Sequence, residues 1–249
     1  MLSPYAIYDL LLDYGNSPTL VREILIGLTW TFCDGNGIGL AMSPGIPTRT
    51  LAWSGTLAQK KIADLAPWLK SWHPYEATVG MAVINLIING QSPLLKQAQP
   101  LLSKSDHNLA VFDYFLPQIN DKKVVIIGRY PSLSRYEKNF DVQVIERQPI
   151  DKDFPDPAAE YLLPQADWVF LTATSIINKT FPRLVELAQQ AQVVLMEPTV
   201  PWLKEFAEMG IDDLAGVNII DPQQLRQTIA EGGGKRIFET SVQYCLLKL

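Results

Sequence analysis

The chain has 249 residues, enough for one large domain or two modest ones, and 47% of them are hydrophobic, as in a globular protein with a substantial core. A net charge of −5 with no basic run argues against nucleic acid or an anionic membrane as a partner. No apolar run is long enough to span a bilayer, no signal peptide follows Met1, and Cys33 and Cys245 lie too far apart for metal-type spacing. A cytoplasmic chain with free, buried thiols is expected.

Residues 4–14 have the apolar spacing of an amphipathic helix, with Ser3 as N-cap and Gly15-Asn16 as its stop. Ile24, Ile26, Leu28, Trp30 and Phe32 then alternate with Gly27, Thr29, Thr31 and Cys33, the period of a single strand with one buried face. Asp34-Gly35-Asn36-Gly37 is hairpin chemistry, which predicts a return strand over 38–42 and a third over 48–53. Helices are predicted over 57–70 and 75–89, the second stopped by Gly90. Pro93, Pro100 and the polar run Ser103 to Asn108 mark a crossing into a second unit.

Beyond it the pattern changes. Val124-Val125-Ile126-Ile127-Gly128 is a continuous apolar run, as in a central parallel strand covered on both faces. Further strands are predicted at 142–146, 168–171, 193–196 and 217–221, and helices at 158–163, 176–190, 203–209, 223–230 and 236–247. The expected fold class is therefore α+β followed by α/β: an α+β domain over 1–105, and a Rossmann-like, doubly wound parallel sheet over 106–249.

In an open α/β sheet, ligands bind at the carboxyl ends of the strands, where loops and helix N-termini converge. Two polar turns fall there. In the first, Thr172, Thr174 and Ser175 present hydroxyls beside a predicted helix start, which suits an anion or carboxylate, or a simple N-cap by Thr174 or Ser175. Asn178 and Thr180 sit in the same predicted helical turn and face the same crevice. In the second, Glu197 projects from a proline-fixed loop, to ligate a metal, bind a ligand hydroxyl or pair with Lys179. Glu146 lies 18 residues after Gly128, near where a ribose-binding acid belongs, but the other glycines of a dinucleotide fingerprint are absent. Arg129 is a candidate for a phosphate or carboxylate. Asp34, Asp113, Asp153 and Asp156 are further acids near loop or strand ends; His73 reads as structural and His107, beside Asp106, as solvent-facing. Gly232-Gly233-Gly234 allows close backbone approach to a ligand, or forms a turn. Without H-E-x-x-H, C-x-x-C or G-x-S-x-G, metal chemistry would rest on oxygen ligands, which favours harder ions.

The runs Glu146-Arg147-Gln148-Pro149, Asp153-Phe154-Pro155-Asp156-Pro157, Leu162-Leu163-Pro164-Gln165-Ala166-Asp167, Thr172 to Thr180 and Gly232-Gly233-Gly234 resemble the family described as "putative heavy-metal chelation". Val79 to Asn85 and Gly37 to Ala41 resemble its companion N-terminal module. The resemblance implies an enolase-N-terminal-like domain, a Rossmann-like domain and a site in the cleft between them. The cleft positions it implies are Asn85, Asn89, Glu146, Thr172, Thr174, Ser175, Asn178 and Thr199. Ala173, Lys179 and Glu197 stand where the resemblance leads one to expect glycine, and Arg129-Tyr130-Pro131 is a variant turn.

Three functional readings follow. In the first, the chain binds a metal ion or anionic metal complex in the cleft, with Glu146, Glu197 or Asn178 supplying oxygen ligands to the metal and Thr174, Ser175 and the helix N-terminus on the anionic part. In the second, an enzyme holds a nucleotide-like cofactor, of nicotinamide or adenosyl type, with Glu146 on a ribose. In the third, a non-enzymatic scaffold or homo-oligomer carries a vestigial cleft. The partner is a small molecule or metal ion in the first two, and no reaction is assigned.

Overall fold

A three-stranded antiparallel sheet forms first in this computed structural model, which describes residues 2–103, 106–136 and 142–249. Lys104 and Ser105 of the predicted crossing lie outside the described residues. A 3-10 turn at Pro4–Ala6, capped by Ser3, leads into α1 (Ile7–Gly15). Strands β1 (Glu23–Ile26), β2 (Trp30–Asp34) and β3 (Ile38–Met42) pair in that order, the last two joined by the expected Asp34–Gly37 turn.

The single strand expected over 24–33 is thus two strands. The chain reverses at Gly27-Leu28-Thr29, where Gly27 N–H donates to the Trp30 carbonyl and Leu28 is 79% exposed. The alternating pattern runs straight through this turn, so periodicity alone hid it. No strand forms over 48–53, where side chains bond to nearby carbonyls in turns instead. The helix expected over 57–70 shrinks to α2 (Ile62–Leu65) and a 3-10 segment Ala66–Lys70, because Pro67 lacks the N–H to continue the ladder.

Helix α3 (Pro74–Gln91) packs on the small sheet and is buried along most of its length. Glycine makes this approach possible: a Cβ on Gly39 of β3 would run into the Ala82 carbonyl oxygen and the Leu86 backbone nitrogen of α3.

The larger sheet begins at β4 (Gln99–Pro100), inside the segment expected to link the two units. Then come α4 (Ala110–Ile119), β5 (Val124–Ile127), β6 (Val142–Ile145), α5 (Ala159–Leu162), β7 (Trp168–Thr172), α6 (Thr174–Ile177), α7 (Phe181–Leu187) and β8 (Gln192–Met196). A 3-10 segment at Lys204–Met209, β9 (Asp213–Ile219), α8 (Pro222–Ala230), α9 (Ile237–Thr240) and β10 (Val242–Lys248) complete the chain. The strand order is β4-β10-β9-β8-β7-β5-β6. The five strands from β9 to β6 are parallel, while β10 and β4 are antiparallel additions. Strand order therefore reverses between β5 and β7, the place where open α/β sheets form a ligand crevice.

Alternate strand residues face two apolar layers. Val125, Val169, Val193 and Leu214 share one with α3, α5 and α7; Ile126, Phe170, Val194 and Ala215 share the other with α4, α8 and α9.

Three expectations fail in this half, and one element was not foreseen. The helix predicted over 236–247 is mostly β10, whose Val242, Tyr244 and Leu246 are buried and whose backbone is paired on both sides. The helix predicted over 176–190 is split at Asn178–Thr180, where Lys179 has φ +69°. Strand β9 starts at Asp213, not at 217, its early small and polar residues masking a strand. Helix α4, interrupted in pattern by Pro117, had no counterpart in the sequence reading. No helix among the described residues is long and apolar enough to cross a membrane.

Gly39→Ala is expected to force β3 and α3 apart and to cost roughly 1–3 kcal/mol or more. Urea denaturation should show a lowered midpoint at unchanged slope; a wild-type midpoint would show that the β3–α3 contact is not tight.

Candidate functional site

At the carboxyl ends of β7 and β8, a polar cluster centred on Glu197 meets the end of β3. Strand β8 runs apolar through Met196, and the next residue is a carboxylate only 1% exposed, on backbone with φ +100°. Its N–H donates to the Ala215 carbonyl on β9, which continues the sheet pairing by one residue and fixes the side chain at the strand tip. Thr174 Oγ1 donates to Glu197 Oε1 at 2.6 Å, and Thr172 Oγ1 donates to Thr174 Oγ1 at 3.2 Å. Met42 Sδ lies 3.5 Å from the Thr174 hydroxyl, and Met42 N–H donates to Thr199 Oγ1 at 3.0 Å. Met42, Thr172 and Thr174 are half-buried, whereas Glu197 lies beneath the surface at 1% exposure.

Two buried phenols feel the charge of the same carboxylate. Tyr130, two residues beyond the Gly128 end of β5, and Tyr244, on β10, both have phenol pKa values raised by burial first and by the Glu197 charge second. Both therefore remain protonated. The Tyr130 hydroxyl and Glu197 Oε2 are buried without a hydrogen bond of good geometry, although Thr172 lies near enough to act on both and Thr199 on the carboxylate. Buried polar atoms are rarely left unpaired, and such an oxygen on a carboxylate points to a ligand or ordered water.

Burial pushes the Glu197 carboxyl up to about 7, against partial compensation from Thr174, Thr199 and Thr172. No basic side chain contributes to its ionisation.

The other sequence candidates take different places. Asn85 is fully buried and its Nδ2 donates to the carbonyls of Leu40 and Thr199, leaving Oδ1 unpaired. Asn89 donates to the Val200 carbonyl, accepts from Trp202 N–H, and lines an open cleft of about 530 Å³ that Glu197 does not wall. Glu146 accepts from the backbone N–H groups of Arg129 and Gln148, so its carboxylate is occupied in closing the β5 and β6 turns. Arg129 is clamped by both carboxylate oxygens of Asp153 and holds that carboxyl below the usual carboxylate range.

Ser175 does not cap a helix: its hydroxyl donates to the Thr172 carbonyl at 2.6 Å, and the N-cap position is Ala173. Nor is Asn178 in a first helical turn. It ends α6, and its Oδ1 accepts from the N–H and hydroxyl of Thr180. Lys179 does not pair with Glu197; its ammonium donates to the carbonyls of Ser71 and Ile177, over the Trp72 ring, and burial lowers its pKa to about 8. Asp34 and Asp156 pair with Arg22 and Arg147, and Asp113 accepts from Ser103 and Tyr136. His73 and His107 are exposed. The Gly232–Gly234 stretch packs on Leu28 and Thr29 of the small-sheet turn. The sequence reading missed Tyr130, Tyr244 and Met42. Tyr130 could have been found from its place just past a central strand, whereas Tyr244 was hidden by its assignment to a helix.

Because the folded value of Glu197 lies above the ordinary 4.5, protonation favours the folded chain. That stabilisation is complete below about pH 4.5 and is lost as pH rises through about 7, at roughly 1.4 kcal/mol per pH unit. Relative to Glu197→Gln, the wild type should lose roughly 3 kcal/mol across this window. Parallel pH profiles from urea denaturation would show that Glu197 is not buried in this way.

Comparison with known proteins places these features in context. A family profile described as "DUF364: Putative heavy-metal chelation" matches residues 110–248, and a second, DUF4213, with the same description, matches 8–88. An uncharacterized protein of Methanocaldococcus jannaschii is 28% identical over 172 residues, which cover 65% of this chain and 62% of that protein's length. A DUF364 protein of unknown function from Desulfitobacterium hafniense superposes with a TM-score of 0.83 at 28% identity, covering 99% of this chain and 98% of the other. Another, from Pyrococcus horikoshii, gives 0.79 at 20% identity with both chains fully covered, a likeness of fold alone. With its larger segment matched over more than half its length, the chain belongs to the DUF364 family.

Proposed function

We propose that this chain binds a small cationic ligand, a metal ion or a protonated amine, in the Glu197 pocket. One observation carries the reading: a fully buried carboxylate with an unpartnered oxygen, flanked by hydroxyls and, among the described residues, by no basic side chain. Its desolvation is costly unless an opposite charge arrives. Hydroxyls of Thr174, Thr172 and Thr199 add neutral oxygen ligands or hydrogen-bond partners around that charge.

The anionic alternative has less support. Segment α6 has only four residues, Thr172 Oγ1 already accepts from Thr174 N–H at 3.4 Å, and Arg129 and Lys179 are engaged elsewhere. A nucleotide-like cofactor lacks its expected ribose acid, because both Glu146 oxygens accept backbone N–H groups. The two-unit reading, an enolase-N-terminal-like domain against a Rossmann-like domain, fits a pocket built from both: Met42 from the small sheet and Thr172, Thr174 and Glu197 from the large one.

A melting-temperature screen of the full chain against divalent cations, polyamines, phosphate, nucleotides and adenosyl compounds tests this. A ligand at a hundred times its Kd stabilises by about 2.7 kcal/mol, an upshift of several degrees for a chain of this size. Upshifts are expected with cations in the wild type and not in Glu197→Gln. Upshifts confined to phosphate or nucleotides would replace the proposal with an anion site.

A further inference from the structure

The family description names heavy metals, and the side chains of this molecule do not suit them. Cadmium, mercury, copper(I) and zinc are held by sets of thiolates and imidazoles, usually three or four at once. The two thiols are free and buried, Cys33 on β2 of the small sheet and Cys245 on β10 of the large one. Burial keeps both protonated. The two histidines are exposed, one before α3 and the other before α4. Among the described residues no three His, Cys, Asp or Glu side chains converge to hold a metal.

The Glu197 pocket is different in kind. Among the described residues it supplies one carboxylate, the hydroxyls of Thr174, Thr199 and Thr172, and one sulfur, the neutral thioether of Met42. A single thioether is a weak ligand for a divalent ion, whereas one carboxylate plus water is how proteins commonly hold magnesium-like ions. The unpartnered atoms, Glu197 Oε2 and the Tyr130 hydroxyl, are also oxygens.

We infer that the Glu197 pocket selects hard, oxygen-preferring divalent cations, with water or a second ligand completing the shell, and that the chain's side chains do not chelate heavy metals. This rests on the preceding reading that Glu197 anchors a cation. It adds a selection rule, set by the absence of nitrogen and thiolate donors around Glu197 among the described residues.

Equilibrium dialysis of the full, reduced, chelator-stripped chain against Mn²⁺, Ca²⁺, Cd²⁺ and Zn²⁺, with retained metal measured by mass spectrometry, decides it. The wild type should retain about one Mn²⁺ per chain, as a single-carboxylate site implies, and little Cd²⁺. Glu197→Gln should weaken Mn²⁺ retention by a factor of roughly 10 or more, and Thr174→Val, which keeps the carboxylate, should weaken it less. A Cys33→Ser/Cys245→Ser double variant should retain Mn²⁺ like the wild type. One equivalent of Cd²⁺ or Zn²⁺ on the wild type would overturn the inference, and its loss in the cysteine variant would identify the thiols as ligands. If no hard cation is retained but a polyamine still raises the melting temperature through Glu197, the selection rule falls and the cationic pocket stands. If neither occurs, both fall.

Discussion

The amide of Asn85 holds the pocket together. Fully buried on α3, it donates one hydrogen to Leu40 on β3 and the other to Thr199, just beyond Glu197. A made hydrogen bond of this kind contributes about 1 kcal/mol net, but leaving two buried carbonyls unpaired would cost more. The same helical face continues the work. Asn89, one turn on, bonds to the backbone of Val200 and Trp202, and Ser92, just past the helix, bonds to the Trp202 carbonyl. Residues 85, 89 and 92 thus form an i, i+4, i+7 polar stripe whose partners are the backbone of a loop. A polar stripe on an otherwise apolar helix is what places the second sheet's β8 loop against the first sheet.

With the loop fixed, Glu197 can occupy backbone that disfavours it. A non-glycine residue at φ +100° carries a Cβ into crowded space, at a cost of order 1–3 kcal/mol. Burial of its carboxyl adds a second penalty in the same residue. The two are tolerated because neighbours over-determine the position: Ala215 accepts its N–H, Thr174 donates to its carboxylate, and Thr199 beside it is bonded by Met42. Lys179, also at positive φ, is similarly pinned through its ammonium to Ser71 and Ile177. Both positions are ones where the family resemblance leads one to expect glycine, so left-handed backbone explains that expectation in physical terms.

Much of the architecture was legible because burial leaves a periodic trace. Continuous apolar runs identified β5, β7 and β8, and Asp34-Gly35-Asn36-Gly37 identified the hairpin. Failures arose where tertiary pairing overrode local pattern. Val242 to Leu247 reads equally as a buried helix or strand until β9 and β4 are there to pair with it. Gly27-Leu28-Thr29 keeps the alternation of a strand while turning. The pocket shows the same limit. Glu197, Thr174 and Thr172 could be found as polar residues at strand tips, but Tyr130, Tyr244 and Met42 come from three other strands or loops. Asn85, Asn178 and Ser175 have the same residue types as ligand groups, yet their hydrogen bonds are spent on backbone or on adjacent turns. Sequence gives the functional groups; only the fold says which of them remain unpaired.

The sign of the site follows from what comes after each strand. Parallel sheets usually gather anions at their carboxyl edge because a helix starts there, and its dipole and free N–H groups act within the first turn. Here β5 leads into a loop and a three-residue 3-10 turn, β7 into the four-residue α6, and β8 into the loop through Pro198 and Pro201 before a 3-10 segment. None supplies the long aligned stack of peptides that makes an anion site. What remains at the edge is side-chain chemistry, and its one net charge is negative. Under the proposed reading, a site at the usual topological position takes the opposite electrostatic preference, because short, interrupted helices replace long ones around it.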